Sequence, residues 1–571
     1  MIPGTHHGSF FLILRRMRAP LILLILIFAI SVLGLTIVPG YDENGNPARM
    51  SFFHAFYFIS YTATTIGFGE VPNAFSEAQR MWATLCIYMS VVGWAYSIGT
   101  LFALFQDKNF QHALKVEQFA RAVRRLREPF FLICGYGETG RLLTRALDRM
   151  GLRVVAVEVD EVKAGELELH TYYADIPTLV ADARYPEVLR LAGLTHPNCR
   201  GVMTLTNDDT VNLSVAIAAR LLAPTLPALC RSESPESTAN MASFGTRHII
   251  SPFEKFGEYL ALALHAPSAF HLLEWLTGVP GSLVEPHRDP PHGRWLLCGY
   301  GNFGRILTRS LRQEGVEVIV IDQGPAPADY EGEWLCGDAT GAQALRTAGV
   351  ETASGIIACV GSDVNNLSIA VTARELKPDL FVILRQNHFA NAPLFDAFPS
   401  DLRVVSSRIV AHECLAILTT PLLVPFLAQI KQRDEAWSRR LVKRLTDRFG
   451  WKVPNIWSVR INAENAPALF RLLMPAGPIV NLGSLLQDPA DRARPLECEV
   501  LYIMRDDDGT VLLPDSDQDV RVGDQLLLVG TREAQSALAL TLENPNTLDY
   551  VLTGHDVPGG WVWERLARRR A

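Results

Sequence analysis

Thr64-Thr65-Ile66-Gly67-Phe68-Gly69-Glu70 lies between two apolar segments that are each long enough to cross a bilayer. An aromatic-rich helical stretch, Phe52 to Ala63, leads into it. Glycines here admit backbone conformations that other residues avoid, so a row of carbonyls can be turned toward one axis. In lipid, such irregular backbone is tolerated only where protein surrounds it and it lines a water-filled path. Two helices and one loop cannot enclose a path, so the sequence implies an oligomer.

The flanks fit this reading. Leu21 to Val38 is apolar except for Ser31, Gly34 and Thr36, and its length predicts a span. It is too long for a signal peptide, and Leu35-Thr36-Ile37-Val38-Pro39 offers no small-residue cleavage site. Met81 to Phe105 is the second predicted span. Arg15, Arg16 and Arg18 precede the first span, and Lys108, Lys115, Arg121, Arg124, Arg125 and Arg127 follow the second. The intervening loop holds Asp42 and Glu43 with Arg49 as its one cation before the short helix. The positive-inside rule then puts both termini in the cytoplasm of a multi-pass protein of the inner (plasma) membrane, with Glu70 outside. No arginine-studded helix is present to sense voltage. Gly93 and Gly99 in the second span are hinge candidates, close helix packing being the other use of such glycines.

Thr65-Ile66-Gly67-Phe68-Gly69 resembles the T-V-G-Y-G selectivity filter of potassium channels, with Ile for Val and Phe for Tyr. The resemblance implies K⁺ held by the filter carbonyls in place of its hydration shell, and a tetramer around the path.

Beyond the membrane segment the chain repeats itself. A short apolar strand runs into Gly135-Tyr136-Gly137-Glu138-Thr139-Gly140-Arg141, and a second runs into Gly299-Tyr300-Gly301-Asn302-Phe303-Gly304-Arg305. Each is followed by a helical pattern and an apolar strand ending on an acid, Glu158 or Asp322, eighteen residues past the third glycine in both copies. In this G-x-G-x-x-G context the first two glycines permit a tight turn and close approach to phosphate. The third lets helix and strand pack, and the helix N-terminus attracts the anion. The acid accepts hydrogen bonds from ribose hydroxyls and disfavours a 2′-phosphate. The expected ligand is therefore NAD or an adenine nucleotide, ADP or ATP. Asp182 and Asp338, in Ala181-Asp182-Ala183 and Gly337-Asp338-Ala339, are further expected contacts. Asn212 and Asn366 also correspond, with capping, packing and ligand contact all open, as do Arg220 with Arg374 and Arg231 with Arg385.

With both features present, nearly the whole chain resembles a two-transmembrane prokaryotic potassium channel carrying tandem RCK domains, the regulators of K⁺ conductance also found in Trk-type uptake systems. The fold expected is a membrane α-helical pore domain (two spans, pore helix and filter loop), then two α/β Rossmann-like RCK domains and a small α+β TrkA-C-like subdomain. The boundaries expected are 1–105 for the pore domain, 106–128 for a gating linker, 129–285 and 286–440 for the two RCK domains, 441–545 for the TrkA-C-like subdomain and 546–571 for a tail. The resemblance implies a homotetramer whose lobes form an eight-lobe cytoplasmic gating ring. Pro252–Leu276 and Ser407–Ile430, broken by Pro267 and Pro421, resemble the crossover helices through which such lobes pair; packing within their own lobe is the alternative.

The remaining features are quieter. The net charge of −7 over 571 residues argues for no nucleic-acid partner. Nine scattered cysteines without a C-x-x-C pair read as free thiols in a reducing compartment, with Cys134, Cys298 and Cys359 buried. Asp515-x-Asp517-x-Asp519 begins like a calcium loop, but Val520 and Leu526 stand where Gly and Glu are needed, so Ca²⁺ is possible and unassigned. Asp506-Asp507-Asp508-Gly509 predicts a hairpin turn, and Glu564 to Arg570 a solvated helical end. The function expected is a ligand-gated potassium channel, not an enzyme. The alternatives are a membrane-anchored NAD-dependent oxidoreductase, which needs a catalytic His, Tyr-x-x-x-Lys or Cys that the sequence does not assemble, and a regulatory subunit of a potassium transporter, against which the filter argues.

Overall fold

The computed structural model describes residues 8–42, 46–71, 73–278, 280–281, 283, 288–474, 477–506 and 509–555, with the side chains of 8–16 left aside. Glu43, Asp507, Asp508 and Glu564–Arg570 therefore lie outside the described residues, as do the side chains of Arg15 and Arg16. The chain divides into two compact units, Met1–Leu126 and Arg127–Ala571.

In the first unit, helix Gly8–Ile37 contains the first span as Met17–Ile37, and helix Glu77–Gln106 is the second. The second begins four residues before the apolar run because Ser76 and Gln79 cap each other's backbone, so polar residues supply its first turn. The pore-side helix is Phe52–Ala63, started by Ser51, whose hydroxyl accepts from the His54 amide at 3.3 Å. Val32 and Leu35 of the first span, Phe58 and Ile59 of the short helix and Ala83 and Cys86 of the second span form one buried cluster. Gly34 admits the Trp82 ring, whose Nε1 donates to the Ser31 carbonyl at 3.1 Å. The stretch after the second span is helical over Lys108–Arg124, with Asp107 as its cap.

The second unit contains the repeat as two six-stranded sheets. The first holds Phe130–Cys134, Arg153–Glu158, Thr178–Val180, Cys199–Thr204, Ala228–Arg231 and His248–Ile250. The second holds Arg294–Cys298, Glu317–Asp322, Glu333–Cys336, Gly355–Ala358, Phe381–Gln386 and Leu402–Val405. Both are wholly parallel, in the spatial order third, second, first, fourth, fifth, sixth. The crevice of such a sheet opens where the order reverses, between the first and fourth strands. Both glycine loops stand there. Eight of the nine free cysteines are buried, and Cys336 is exposed.

The crossover helices form as two broken pairs, Pro252–His265 with Pro267–Thr277 and Ser406–Thr419 with Leu423–Ile430. They do not stay in their own lobes. Phe253 and Phe256 of the first lobe's helix lie 5.1 and 5.8 Å, ring to ring, from Phe303 of the second lobe. Gly257 passes so close that an added Cβ would come 2.6 Å from Ser310 Oγ. Reciprocally, Val410 and Cys414 of the second lobe's helix join Leu143 and Leu147 of the first lobe in one core. The second pair, bent by 116°, is apolar enough to pass for a broken span, but Val410, Cys414, Leu423 and Phe426 are buried within the unit.

The C-terminal part is α+β. Strands Asn455–Arg460, Gln525–Gly530, Cys498–Met504 and Thr510–Leu512 form an antiparallel sheet in that order. Helices Pro467–Leu473 and Arg532–Glu543 pack on it, the first inside Arg460 to Thr531, which by sequence alone reads as strands and turns. Helix Glu435–Phe449, which holds no Gly or Pro, crosses the expected boundary at 441, and helix Pro545–Thr553 starts on Pro545, one residue before that at 546. The Arg505 amide donates to the Gly509 carbonyl at 2.9 Å across the expected hairpin. Among the described residues no group of three or more His, Cys, Asp or Glu side chains is arranged to hold a metal ion.

The third glycine of each motif is the tightest constraint in its lobe. An added Cβ at Gly140 would lie 2.2 Å from the Gly135 carbonyl oxygen, whereas at Gly137 no atom of the described chain lies within 4 Å. Gly140→Ala is expected to lower the thermal unfolding midpoint of the purified protein, costing about 1–3 kcal/mol. Gly137→Ala should leave it nearly unchanged.

Candidate functional site

The stretch Thr65–Gly69 departs from ordinary backbone in alternation. Thr65, Gly67 and Gly69 have φ of 64°, 67° and 91°, while Ile66 and Phe68 keep negative φ. For Thr65, a β-branched residue, this conformation costs on the order of 1–3 kcal/mol and persists only where the surroundings impose it. They do so here. The Ile66 amide donates to the Tyr61 carbonyl at 2.8 Å, and the Tyr61 hydroxyl donates to the Gly69 carbonyl at 2.5 Å. At the far end Glu70 accepts from Arg80 Nε at 2.7 Å and from the Phe75 amide at 2.9 Å. These clamps tie both ends of the stretch to the helices beside it. Tyr61 and Arg80 were not singled out in the sequence; only the aromatic richness of Phe52–Ala63 hinted at the first. Of the hinge candidates, an added Cβ at Gly93 would sit 2.7 Å from Ile27 Cδ1 of the first span, so its smallness serves packing. At Gly99 no atom of the described chain lies within 4 Å.

In the second unit, each glycine loop is held by its acid. Gly135 and Gly299 take φ of 98° and 102°. Glu158 accepts from the Tyr136 amide at 2.5 Å and the Asp160 amide at 3.0 Å. Asp322 accepts from the Tyr300 amide at 2.8 Å and the Gly324 amide at 2.9 Å. Helices Glu138–Arg149 and Asn302–Gln313 start behind Gly137 and Gly301 without a side-chain cap, leaving their first amides to a ligand or water. Asn212 and Asn366 are fully buried lattice pieces. Asn212 Nδ2 donates to the Thr206 and Arg231 carbonyls at 2.9 and 3.0 Å, and Asn366 Nδ2 to those of Val360 and Arg385 at 3.0 and 2.9 Å. Packing, of the three uses open in the sequence, is what these contacts describe.

The two crevices are otherwise unlike. The first-lobe cavity has about 720 Å³ and is lined by Gly135, Gly137, Glu138, Thr139, Arg141, Glu158 and Asp182 of the expected set. Lys163, Arg184 and Arg231 add cations that the motif did not announce. Arg231 Nη1 donates to Asn207 Oδ1 at 2.7 Å and to Thr139 Oγ1 at 3.3 Å, and Nη2 pairs with Glu233. The hydrogen bond from Arg184 holds the Asp182 carboxyl below its ordinary range, so it stays ionised. Asn387, His388, Ser406 and Ser407 line the same cavity from the second lobe. Glu138 accepts from the Phe389 amide at 2.5 Å and from Ser407 Oγ at 3.4 Å. No local motif could reveal this wall, since its residues lie some 250 positions from the glycine loop in sequence. Tyr136 and Gly140 support the loop without lining the cavity.

The second-lobe cavity has about 260 Å³ and is lined by Gly299, Asp322 and Asp338 of the expected set. Tyr300, Gly301, Asn302, Phe303, Gly304 and Arg305 do not line it. Asp338 accepts from the Thr340 amide at 2.9 Å, which holds its carboxyl low, and from Thr340 Oγ1 at 2.8 Å.

The sequence family described as TrkA-N domain matches residues 131–252 and 295–406, and the family described as ion channel matches 21–107. Potassium channel protein 1 of Methanocaldococcus jannaschii is 23% identical over 308 residues, 53% of this chain and 85% of that protein. The Trk system potassium uptake protein TrkA of Mycobacterium tuberculosis is 22% identical over 251 residues, 43% of this chain and 96% of that protein. A solved structure described as the GsuK channel bound to NAD superposes with a TM-score of 0.46 and 18% identity, covering 93% of this chain and 99% of that one.

Because Glu158 holds two backbone amides before any ligand arrives, Glu158→Ala is expected to destabilise the ligand-free protein. The cost is roughly 1–3 kcal/mol per orphaned donor, read as a lower thermal unfolding midpoint.

Proposed function

We propose that this chain, which joins an ion-channel domain to two TrkA-N domains and is homologous to archaeal potassium channels, is a K⁺-selective channel gated by an adenine nucleotide or NAD. The observation that carries the reading is the alternating left-handed backbone at Thr65, Gly67 and Gly69 between two span-length helices. Turning alternate peptide planes is what a row of inward carbonyls requires, and such a row replaces the hydration shell of K⁺.

Four copies of the chain would surround the path, with both termini in the cytoplasm and the Glu70 end outside. In that assembly the eight lobes form the gating ring. Expected limits are 1–105 for the pore domain, 106–128 for the linker and 129–440 for the paired lobes, with the TrkA-C-like part beyond. The chemistry of the first-lobe cavity supports nucleotide binding. Uncapped helix amides and Arg141, Lys163, Arg184 and Arg231 suit phosphates, and Glu158 suits ribose hydroxyls. Binding shifts gating only by the ligand's differential affinity for open and closed rings. The linker, helical over Lys108–Arg124, passes the shift to the second span, where Gly99 has room to act as a hinge. The named relatives are potassium channels and uptake proteins rather than enzymes, and no catalytic role is proposed.

The test is single-channel recording of the purified protein in planar bilayers under K⁺ and Na⁺ gradients, adding NAD, ADP or ATP to the cytoplasmic side. K⁺-selective openings are expected, changing in probability with a nucleotide and absent in Gly67→Ala, whose φ a Cβ resists. Ligand at a hundredfold its Kd should also stabilise the protein by about 2.7 kcal/mol. Folded protein without K⁺ current would sink the channel reading. Selective current blind to every nucleotide would remove the gating half alone.

A further inference from the structure

The two glycine motifs match in sequence, yet only one opens into a cavity with cations. At the motif's third variable position the first lobe has Thr139, which lines the cavity and receives a hydrogen bond from Arg231. The second lobe has Phe303 there, 1% exposed and packed in the core. The arginines at the ends of the corresponding fifth strands diverge with them. Arg231 lines its cavity, whereas the Arg385 guanidinium lies over the Phe253 and Phe303 rings at 4.9 and 5.2 Å. Phe253 arrives on the crossover helix of the opposite lobe, where the reciprocal helix brings Ser407 to the first-lobe cavity.

Charge follows the same division. Among the described residues lining the second-lobe cavity are two carboxylates, Asp322 and Asp338, and no cation. A diphosphate would meet only like charge there, with the helix start behind Gly301 outside the lining. The first-lobe cavity is nearly three times as large, and its lining sets Arg141, Lys163, Arg184 and Arg231 against Glu138, Glu158, Asp182 and Asp208.

We propose that each chain binds one nucleoside diphosphate moiety, as ADP or the ADP half of NAD, in the first lobe only. In the second lobe the phosphate end is closed by Phe303, Phe253 and Arg385. That lobe instead supplies a wall of the first site through Asn387, His388, Ser406 and Ser407. This rests on the nucleotide reading above and adds its stoichiometry and place. Ligand in the first lobe then touches both lobes at once, so occupancy reads their mutual packing.

The experiment is binding of radiolabelled ADP and NAD to the full-length protein in detergent, with photolabelling by 8-azido-ADP and peptide mapping. One equivalent per chain is expected, with label on peptides of 129–285 and on the 387–407 wall. Ser407→Phe, which copies the second lobe's closure, should weaken binding by about tenfold or more. Asp322→Ala should leave both affinity and stoichiometry unchanged. Phe303→Thr with Phe253→Ser reports on the closure if Ser407→Phe fails to fold, because it should admit label to peptides around 299–305. Two equal sites in the wild type, or a single site lost in Asp322→Ala and kept in Ser407→Phe, would overturn the asymmetry while preserving the nucleotide reading. Folded protein that binds neither ligand would overturn both.

Discussion

The exchange of crossover helices between the lobes is the contact on which the cytoplasmic unit depends. Each helix leaves its own sheet and buries its apolar face on the glycine-motif helix of the other lobe. Phe253, Phe256 and Gly257 meet Phe303, Ile306 and Ser310, while Val410 and Cys414 meet Leu143 and Leu147. Removing large apolar surface from water is the dominant favourable term in such an arrangement. Neither lobe can complete its core alone. Charged pairs at the rim, such as Lys431 with Glu258 at 2.9 Å, add orientation more than energy.

That exchange also explains how a duplication can yield two different crevices. The same backbone, glycines and acid recur, and the same asparagine ties the fourth and fifth strands. The residue delivered to the phosphate end, however, comes from the other lobe. Phenylalanine closes one end and serine leaves the other open, so a symmetric fold acquires one large cavity that carries cations beside its carboxylates and one small cavity whose charged lining residues are carboxylates alone.

In the membrane unit the corresponding constraint is local. Alternating backbone handedness is unfavourable at Thr65 and neutral at the two glycines, and it is imposed by Tyr61 at one end and the Glu70–Arg80 pair at the other. The spans are packed through small residues, with Gly34 beneath Trp82 and Gly93 beneath Ile27. In lipid this close approach substitutes for a hydrophobic driving force.

The sequence by itself determined the spans and the repeat, whose signals are period and punctuation. Apolar length marked both spans, and a helix over about Phe52 to Ala63 was legible between them. The paired strand–glycine–helix–strand–acid runs marked two doubly wound sheets, because each signal is contained within some thirty residues. What only the tertiary structure decided depends on residues far apart in the chain. The second-lobe wall around Glu138, the destination of the crossover helices and the burial of Asn212 and Asn366 are of this kind. So are Asp182 and Asp338, which line cavities and cap turns at once. Thr139 and Phe303 are visible in a row of letters, but their meaning comes from Ser407 and Phe253, which reach them only when the two lobes fold against each other. Local motifs specify backbone geometry; the charge and space around it are set by whichever distant side chains the packing brings in.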